Sequence, residues 1–373
     1  MSVKCSAIMQ QMEKLAPLSL AEEWDNVGLL LGDPEQDIGK VIVTLDVDQH
    51  AVDEAIAAGA NMIIAHHPLL FKGITRIRTD WPQGRILSAL IKAQIAVYSA
   101  HTNLDSAPGG VNDVLADKLN LIAVEPLTTA YQDSLHKLAV FVPATHTEQV
   151  RQALTEAGAG SIGMYSHCTF MTRGTGTFLP SAAAKPFIGS KGQLEFVDEY
   201  RLETVFQASK RLVVINAMLA AHPYEEVAYD EYLLLNKGTA YGLGRVGHLA
   251  VPLPLADVVN QIKTALNIKA LKVAAHNSAD LIHKVAVCGG SGAGLIKNAI
   301  SAGADILITG DVKYHEAQQA VAEGLTVIDA GHFATEQPVV ASVVTYLKDC
   351  ADKNGWILPV ISKIANHDIF TLY

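Results

Sequence analysis

Apolar residues in this chain gather in short unbroken runs separated by amphipathic stretches. Lys40-Val41-Ile42-Val43-Thr44-Leu45-Asp46 is one such run, and it predicts a strand buried on both faces of a parallel sheet. A helix is predicted from about Gln49 to Ala58, with Gly59 as its C-terminal cap. Asn61-Met62-Ile63-Ile64-Ala65 predicts the next strand, and His66-His67-Pro68 follows at its carboxyl end. The same succession returns later. Lys284-Val285-Ala286-Val287-Cys288 predicts a strand; a glycine-rich turn and a helix ending at Ala302-Gly303-Ala304 lead into Asp305-Ile306-Leu307-Ile308-Thr309. The segments Ala58–Ile64 and Ala302–Ile308 align without a gap. Each copy continues into one more strand: Ala96-Val97-Tyr98-Ser99-Ala100 before His101 and Asp105, and Thr326-Val327-Ile328-Asp329-Ala330 before His332 and Glu336.

Strands alternating with helices imply βαβ units, so the expected fold is α/β, with a core of two repeated halves forming parallel or mixed sheets. The middle of the chain reads differently. Strands are expected at His136–Val142, Arg201–Phe206 and Tyr229–Leu235, with helices from Thr147 (as cap) to Ala157 and near Lys210–Ala221. The β-α-β-β-α-β order suggests a ferredoxin-like α+β domain inserted into a discontinuous core. The expected boundaries are 1–127 for the first half of the core, 128–246 for the insert and 247–373 for the second half. Gly174 to Gly192 reads as a long loop or lid.

Composition narrows the function classes. At 373 residues, half of them apolar and 18% charged, the chain is long enough for two or three packed domains. No apolar run reaches the ~18–20 residues needed to span a bilayer. The N-terminus carries no signal-type apolar region. Four scattered cysteines (Cys5, Cys168, Cys288, Cys350), with no C-x-x-C pair, argue against a disulfide framework and a cysteine zinc site. A cytoplasmic protein handling small molecules is expected. The net charge of −10 has no basic counter-patch, so nucleic acid is not an expected partner.

The chemistry lies where the repeats end. Sites in open parallel sheets form beyond the carboxyl ends of strands, and there the chain places His66, His67, Asp105, His332 and Glu336. Adjacent side chains on a strand point to opposite faces, but Pro68 ends the strand, so the two imidazoles can diverge onto two nearby ions. His332-x-x-x-Glu336 has helical i,i+4 spacing, which puts both groups on one face. Paired ions held ~3.5–4 Å apart need bridging carboxylates. Each residue also has a plainer reading, as strand cap, turn cap or helix-start acid. Their symmetric placement favours the metal reading. His101, the counterpart of His332, is a sixth ligand, an outer partner or a catalytic proton shuttle. Trp24-Asp25-Asn26-Val27-Gly28 either lines the pocket or is a capped turn. Gly289–Gly294 fails G-x-G-x-x-G at Leu295 and is kept as a phosphate or substrate contact, with Asp311 imitating a ribose-binding acid. Lys313, Tyr314 and His315 either line the same pocket or do nothing. His222-Pro223-Tyr224-Glu225-Glu226 reads as a turn and helix start.

The set Trp24–Gly28, Ala65–Leu69, Ser99–Asp105 and Gly331–Glu336 resembles the Nif-three-like family, whose bacterial members are commonly named GTP cyclohydrolase I type 2 homologues. The resemblance covers both core halves. It implies two divalent metal ions per subunit on His66, His67, Asp105, His332 and Glu336, with zinc or iron favoured and manganese or nickel compatible. It also implies a PII/CutA-like insert and a toroidal homo-hexamer, a trimer of dimers. The expected function is a metal-dependent hydrolase acting on a nucleotide or related heterocycle. The alternative is a metal-binding regulatory or metal-handling protein without turnover.

Overall fold

The computed structural model describes residues 3–275, 281–363 and 368–371. The fold is mixed α/β, and the chain separates into two compact units, Met1–Tyr131 with Tyr241–Tyr373, and Gln132–Ala240.

The first unit contains two large mixed sheets. One has the strand order Val360–Ser362, Val41–Thr44, Met62–Ala65, Ala96–Ser99, Gly28–Leu31. Its first four strands run parallel, and Gly28–Leu31 is antiparallel at the edge. Both faces are covered, which is why the strands read as unbroken apolar runs. Ile42, Ile63 and Val97 pack with Val52, Ala55 and Leu90 of two helices on one side. Val41, Val43, Met62, Ile64 and Tyr98 pack on the other side with Ile8, Met12, Val340, Val343 and Leu347. Truncating a fully buried member such as Ile63 to Ala would cost ~2–5 kcal/mol.

The second sheet runs Lys272–Ala274, Thr326–Asp329, Ile306–Thr309, Leu281–Val287, Arg245–Pro254, Ile122–Pro126. Its centre is the parallel trio Leu281–Val287, Ile306–Thr309 and Thr326–Asp329, flanked by antiparallel strands. Local signals set the element ends. The helix Gln49–Ala58 begins at Asp48, whose carboxylate accepts from the Ala51 N–H at 2.7 Å. It ends at Gly59 in the left-handed conformation, φ 65°.

The second unit holds a four-stranded sheet, ordered Tyr229–Tyr241, Tyr131–Pro143, Glu195–Gln207, Thr169–Phe178. The helices Thr147–Glu156 and Arg211–Ala221 supply Val150, Leu154, Val214 and Met218 to the core it shares with Leu138, Val140 and Leu202. Three readings are corrected here. Thr169–Phe178 is a strand, so only the later part of the expected Gly174–Gly192 loop lies outside regular structure. Thr147 is the first helical residue after the cap His146, and its hydroxyl donates back to the Pro143 carbonyl. His222–Glu226 is a turn without a helix start: His222 is buried, its Nε2 meets the Phe141 carbonyl, and its Nδ1 accepts from the Tyr224 N–H. No helix among the described residues is long and apolar enough to cross a membrane.

Candidate metal centre

The carboxyl ends of the parallel strands of both sheets meet within the first unit, and all five residues expected as ligands come together there. His66 follows Met62–Ala65; its ring is buried, and its Nδ1 donates to the Ala100 carbonyl at 2.9 Å. His67 diverges from it, the two rings 5.0 Å apart and tilted by 46°. Its Nδ1 lies 2.8 Å from Asp46 Oδ1, at the end of the neighbouring strand. His101 Nδ1 is 2.9 Å from Asp25 Oδ1, and His332 Nδ1 is 2.7 Å from Asp311 Oδ2. Carboxylates and carbonyls only accept, so all four histidines carry a proton on Nδ1 and leave Nε2 for other partners. That outer layer of acceptors is how proteins fix the tautomer of a metal-binding imidazole.

Glu336 sits among these Nε2 atoms and is almost fully buried. Its Oε1 is 3.7 Å from His66 Nε2, while its Oε2 is 2.9 Å from His67 Nε2 and 3.1 Å from His332 Nε2. Asp105 Oδ1 approaches His66 Nε2 at 3.6 Å. Buried polar atoms normally find hydrogen bonds, yet His66 Nε2 and Asp105 Oδ1 have none. Two overlapping groups could hold a metal ion, His66 with His67 and His101, and His67 with His332 and Glu336, the ligand atoms of each lying within 4.8 Å of one another. Orphaned donor atoms facing one another, in an imidazole and carboxylate set, fit a divalent cation.

The charges reinforce this. Burial pulls the His67 pKa down, but the hydrogen bonds to Asp46 and Glu336 outweigh it and lift it to about 10. The bond to Glu336 lifts His332 to about 9 against the opposing effect of burial. Burial also depresses His66, but Asp105 and Glu336 outweigh it and the net shift is upward. Burial and then the Glu336 charge raise Asp105 to about 6 despite His66. Burial would raise Glu336 too, but the hydrogen bonds from His332 and His67 and the charge of His66 hold it well below the usual carboxylate range. As protein groups alone, these carboxylates rely on imidazolium protons for countercharge, a role a bound cation fills better.

Several contributors are not apparent from sequence reasoning. Asp46 has no motif of its own; its position at a strand end was the available signal. Asp25, in the stretch expected either to line the pocket or to cap a turn, is bound by His101 and by both the backbone N–H and the hydroxyl of Thr102, which outweigh burial and hold it below its ordinary pKa. Asn112 is fully buried; it donates to the Asp105 carbonyl and accepts from the Gly289 N–H, each at 2.9 Å. Buried Arg245 pairs with Asp113 at 2.5 Å and donates to the Gly242, Gly244 and Ala107 carbonyls.

The glycine loop differs from its sequence reading. The Gly289, Gly290 and Gly292 N–H groups go to Asn112, Thr335 and Thr309, so they cradle no anion. The loop makes room instead: Gly290 has φ +63°, and a β-carbon there would collide with Glu336 Oε1. Asp311 is engaged by His332 rather than held for a ribose. Tyr314 and His315 contact each other edge-on, and Tyr314 is largely exposed.

Comparison with known proteins gives the family. The model of the family Duf34/NIF3 (NGG1p interacting factor 3) matches residues 3–367. A Halalkalibacterium halodurans protein named GTP cyclohydrolase 1 type 2 homolog is 46% identical over 364 residues, covering 98% of this chain and 97% of its own. A Bacillus subtilis protein of the same name is 47% identical over 333 residues, 89% of each chain. The crystal structure of a Bacillus cereus protein related to NIF3 superposes with a TM-score of 0.90 at 43% identity, covering all of both chains. The chain therefore belongs to the Duf34/NIF3 family.

Proposed function

We propose that the chain is a metal-dependent hydrolase acting on a nucleotide or related heterocycle, with two divalent ions held by His66, His67, Asp105, His332 and Glu336. The observation that carries this is the divided carboxylate of Glu336, with one oxygen towards His66 and the other towards His67 and His332. A carboxylate shared in this way suits two adjacent cation positions. Such ions, zinc or iron by donor type, supply an activated water and polarise the group under attack.

The chain's own residues do the rest. His101, with Nδ1–H donated to Asp25, presents Nε2 as the base that takes a proton from the attacking water and returns it to the leaving atom. Asp25 fixes the direction of that ring. Hydrolytic opening of the guanine ring of GTP is the concrete reaction, in keeping with the relatives' printed name. Its test is formation of a formylated product from GTP by metal-loaded protein. Turnover should fall at least ~10²-fold in His101→Ala with metal content kept at wild type; metal lost along with activity makes His101 a ligand instead. Turnover unchanged by a chelator would remove the ions from the reaction.

A metal-handling role without turnover is the second reading, favoured by the His332 side chain, which is 36% exposed and gives an ion a way out. It requires exchange of bound metal within minutes, whereas a catalytic centre retains its ions through many turnovers.

The proposal extends to the rest of the chain. The insert is read as ferredoxin-like, supported by β-α-β-β-α-β succession and by its first strand lying between its fourth and third. A cytoplasmic homo-hexamer accompanies this reading, supported by four free cysteines and by the family resemblance. Light scattering on purified protein checks the hexamer.

A further inference from the structure

Two large aromatic side chains stand open beside this centre. Trp24 is 63% exposed and Phe71 is 53% exposed. Each touches the imidazole of His101 nearly edge-on, Trp24 at 6.0 Å and 76° and Phe71 at 5.8 Å and 86°. Among the described residues neither has a parallel ring partner. Leaving apolar rings in water is unfavourable by ~25 cal/mol per Å², and one exposed ring needs no explanation. Two rings on one imidazole, with their backbones pinned, do need one.

The pinning is specific. Asp25, beside Trp24, is locked by His101 and Thr102, and the Glu22 N–H donates to the Thr102 hydroxyl at 3.0 Å. Asn26 then donates to the Leu70 carbonyl at 2.5 Å, which ties the Trp24 segment to the loop that carries Phe71. That loop is exposed throughout 71–83. From Leu69 to Trp81 it carries Lys72, Arg76 and Arg78 against Asp80, net +2 in a chain of net −10. Asp80 is engaged by Arg78 at 3.0 Å, which leaves Lys72 and Arg76 as the loop's uncompensated cations.

We propose that Trp24 and Phe71 seat the purine ring of an anionic nucleotide beside His101, with Lys72 and Arg76 supplying countercharge for its phosphates. Aromatic faces accept planar bases by stacking, and flexible cations bind phosphate as point charges. For turnover this rests on the hydrolase reading; for binding it does not.

Guanosine, GTP and tripolyphosphate are titrated calorimetrically into the full-length metal-loaded protein. Trp24→Ala and Phe71→Ala should each weaken guanosine and GTP about ten-fold and leave tripolyphosphate unchanged. Trp24→Phe should restore most of the loss. The double variant Lys72→Ala/Arg76→Ala should weaken GTP and tripolyphosphate and spare guanosine. The proposal is overturned if both alanine variants bind guanosine within two-fold of wild type, if their losses extend equally to tripolyphosphate, or if the wild type binds neither guanosine nor GTP. Guanosine binding through these rings without any turnover sinks the hydrolase reading and keeps this one. GTP turnover with an unchanged KM in Trp24→Ala does the reverse.

Discussion

The two copies of the repeated strand–helix–strand unit share a scaffold and differ in what they carry. Lys40 Nζ donates to the Ala58 carbonyl at 2.5 Å, and its counterpart Lys284 donates to Ala302 at the same distance. Asn61 Oδ1 accepts from the Gly39 N–H, as Asp305 Oδ2 accepts from the His283 and Lys284 N–H groups. Gly59 and Gly303 close the two helices at φ 65° and 69°. Beyond the strands the likeness ends. The first copy delivers three histidines and Asp105, on the short helix Thr102–Ser106. The second delivers one histidine and Glu336, on His332–Glu336, and replaces the tandem histidines with Gly310-Asp311. Backbone geometry tolerates a duplicated frame, whereas the two cation positions proposed here would need unlike ligands, and the copies differ where those would sit.

The largest test of that asymmetry removes one carboxylate at a time. Glu336 meets three imidazoles and Asp105 meets one. Metal content should fall from about two ions per chain to well below one in Glu336→Ala and to about one in Asp105→Ala. Equal losses would make the copies equivalent after all.

A smaller effect is expected from the space beside Glu336. Gly290→Ala should weaken metal binding at least ~10-fold, since Glu336 must shift, and strain at positive φ adds ~1–2 kcal/mol of destabilisation. Gly294→Ala, in the same loop but with nothing within 4 Å of an added β-carbon, should change neither. Matching behaviour of the two variants would mean that the loop does not shape the centre.

The protonation of His67 and His332 sets a third test, one on each copy. Their pKa values, about 10 and about 9, mean that both hold protons at neutral pH as protein groups alone. Cations need neutral imidazoles, so loading at pH 7.5 should release about two protons per chain, falling towards none above pH ~10. Calorimetry in buffers of different ionisation enthalpy reads this number. The metal-free protein should behave oppositely. Raised histidine pKa values contribute stability that is complete below 6.5 and is lost as pH climbs through about 9 and about 10. A metal-free melting temperature flat from pH 6.5 to 10 would argue against these pairings.

The smallest effect belongs to the shared frame. Lys40→Ala and Lys284→Ala should each cost about 1 kcal/mol by denaturant unfolding and leave metal content unchanged. A clear inequality between them would show that the copies have diverged in their supports as well as their ligands.

The frame and the residue types of the candidate site are legible along the chain. The apolar runs at Val41–Thr44, Met62–Ala65 and Ile306–Thr309 are strands because a continuous hydrophobic run suits a sheet covered on both faces, and that property is local. The helix Gln49–Ala58 was legible for the same reason, through its cap and its glycine stop. The doubled pattern of a histidine and a carboxylate four residues on placed the candidate site at strand ends. Tertiary structure alone decided which nitrogen of each histidine faces the centre, because the partners are remote: Asp25 and His101 lie 76 residues apart, and His67 and His332 lie 265 apart. It also decided that the glycine loop clears space beside Glu336 and that its Gly289, Gly290 and Gly292 N–H groups go to Asn112, Thr335 and Thr309 from other parts of the chain. Hydrophobic periodicity is written along the chain. Hydrogen-bond pairing and the collision of a β-carbon with Glu336 exist only after distant segments are brought within a few ångströms of one another.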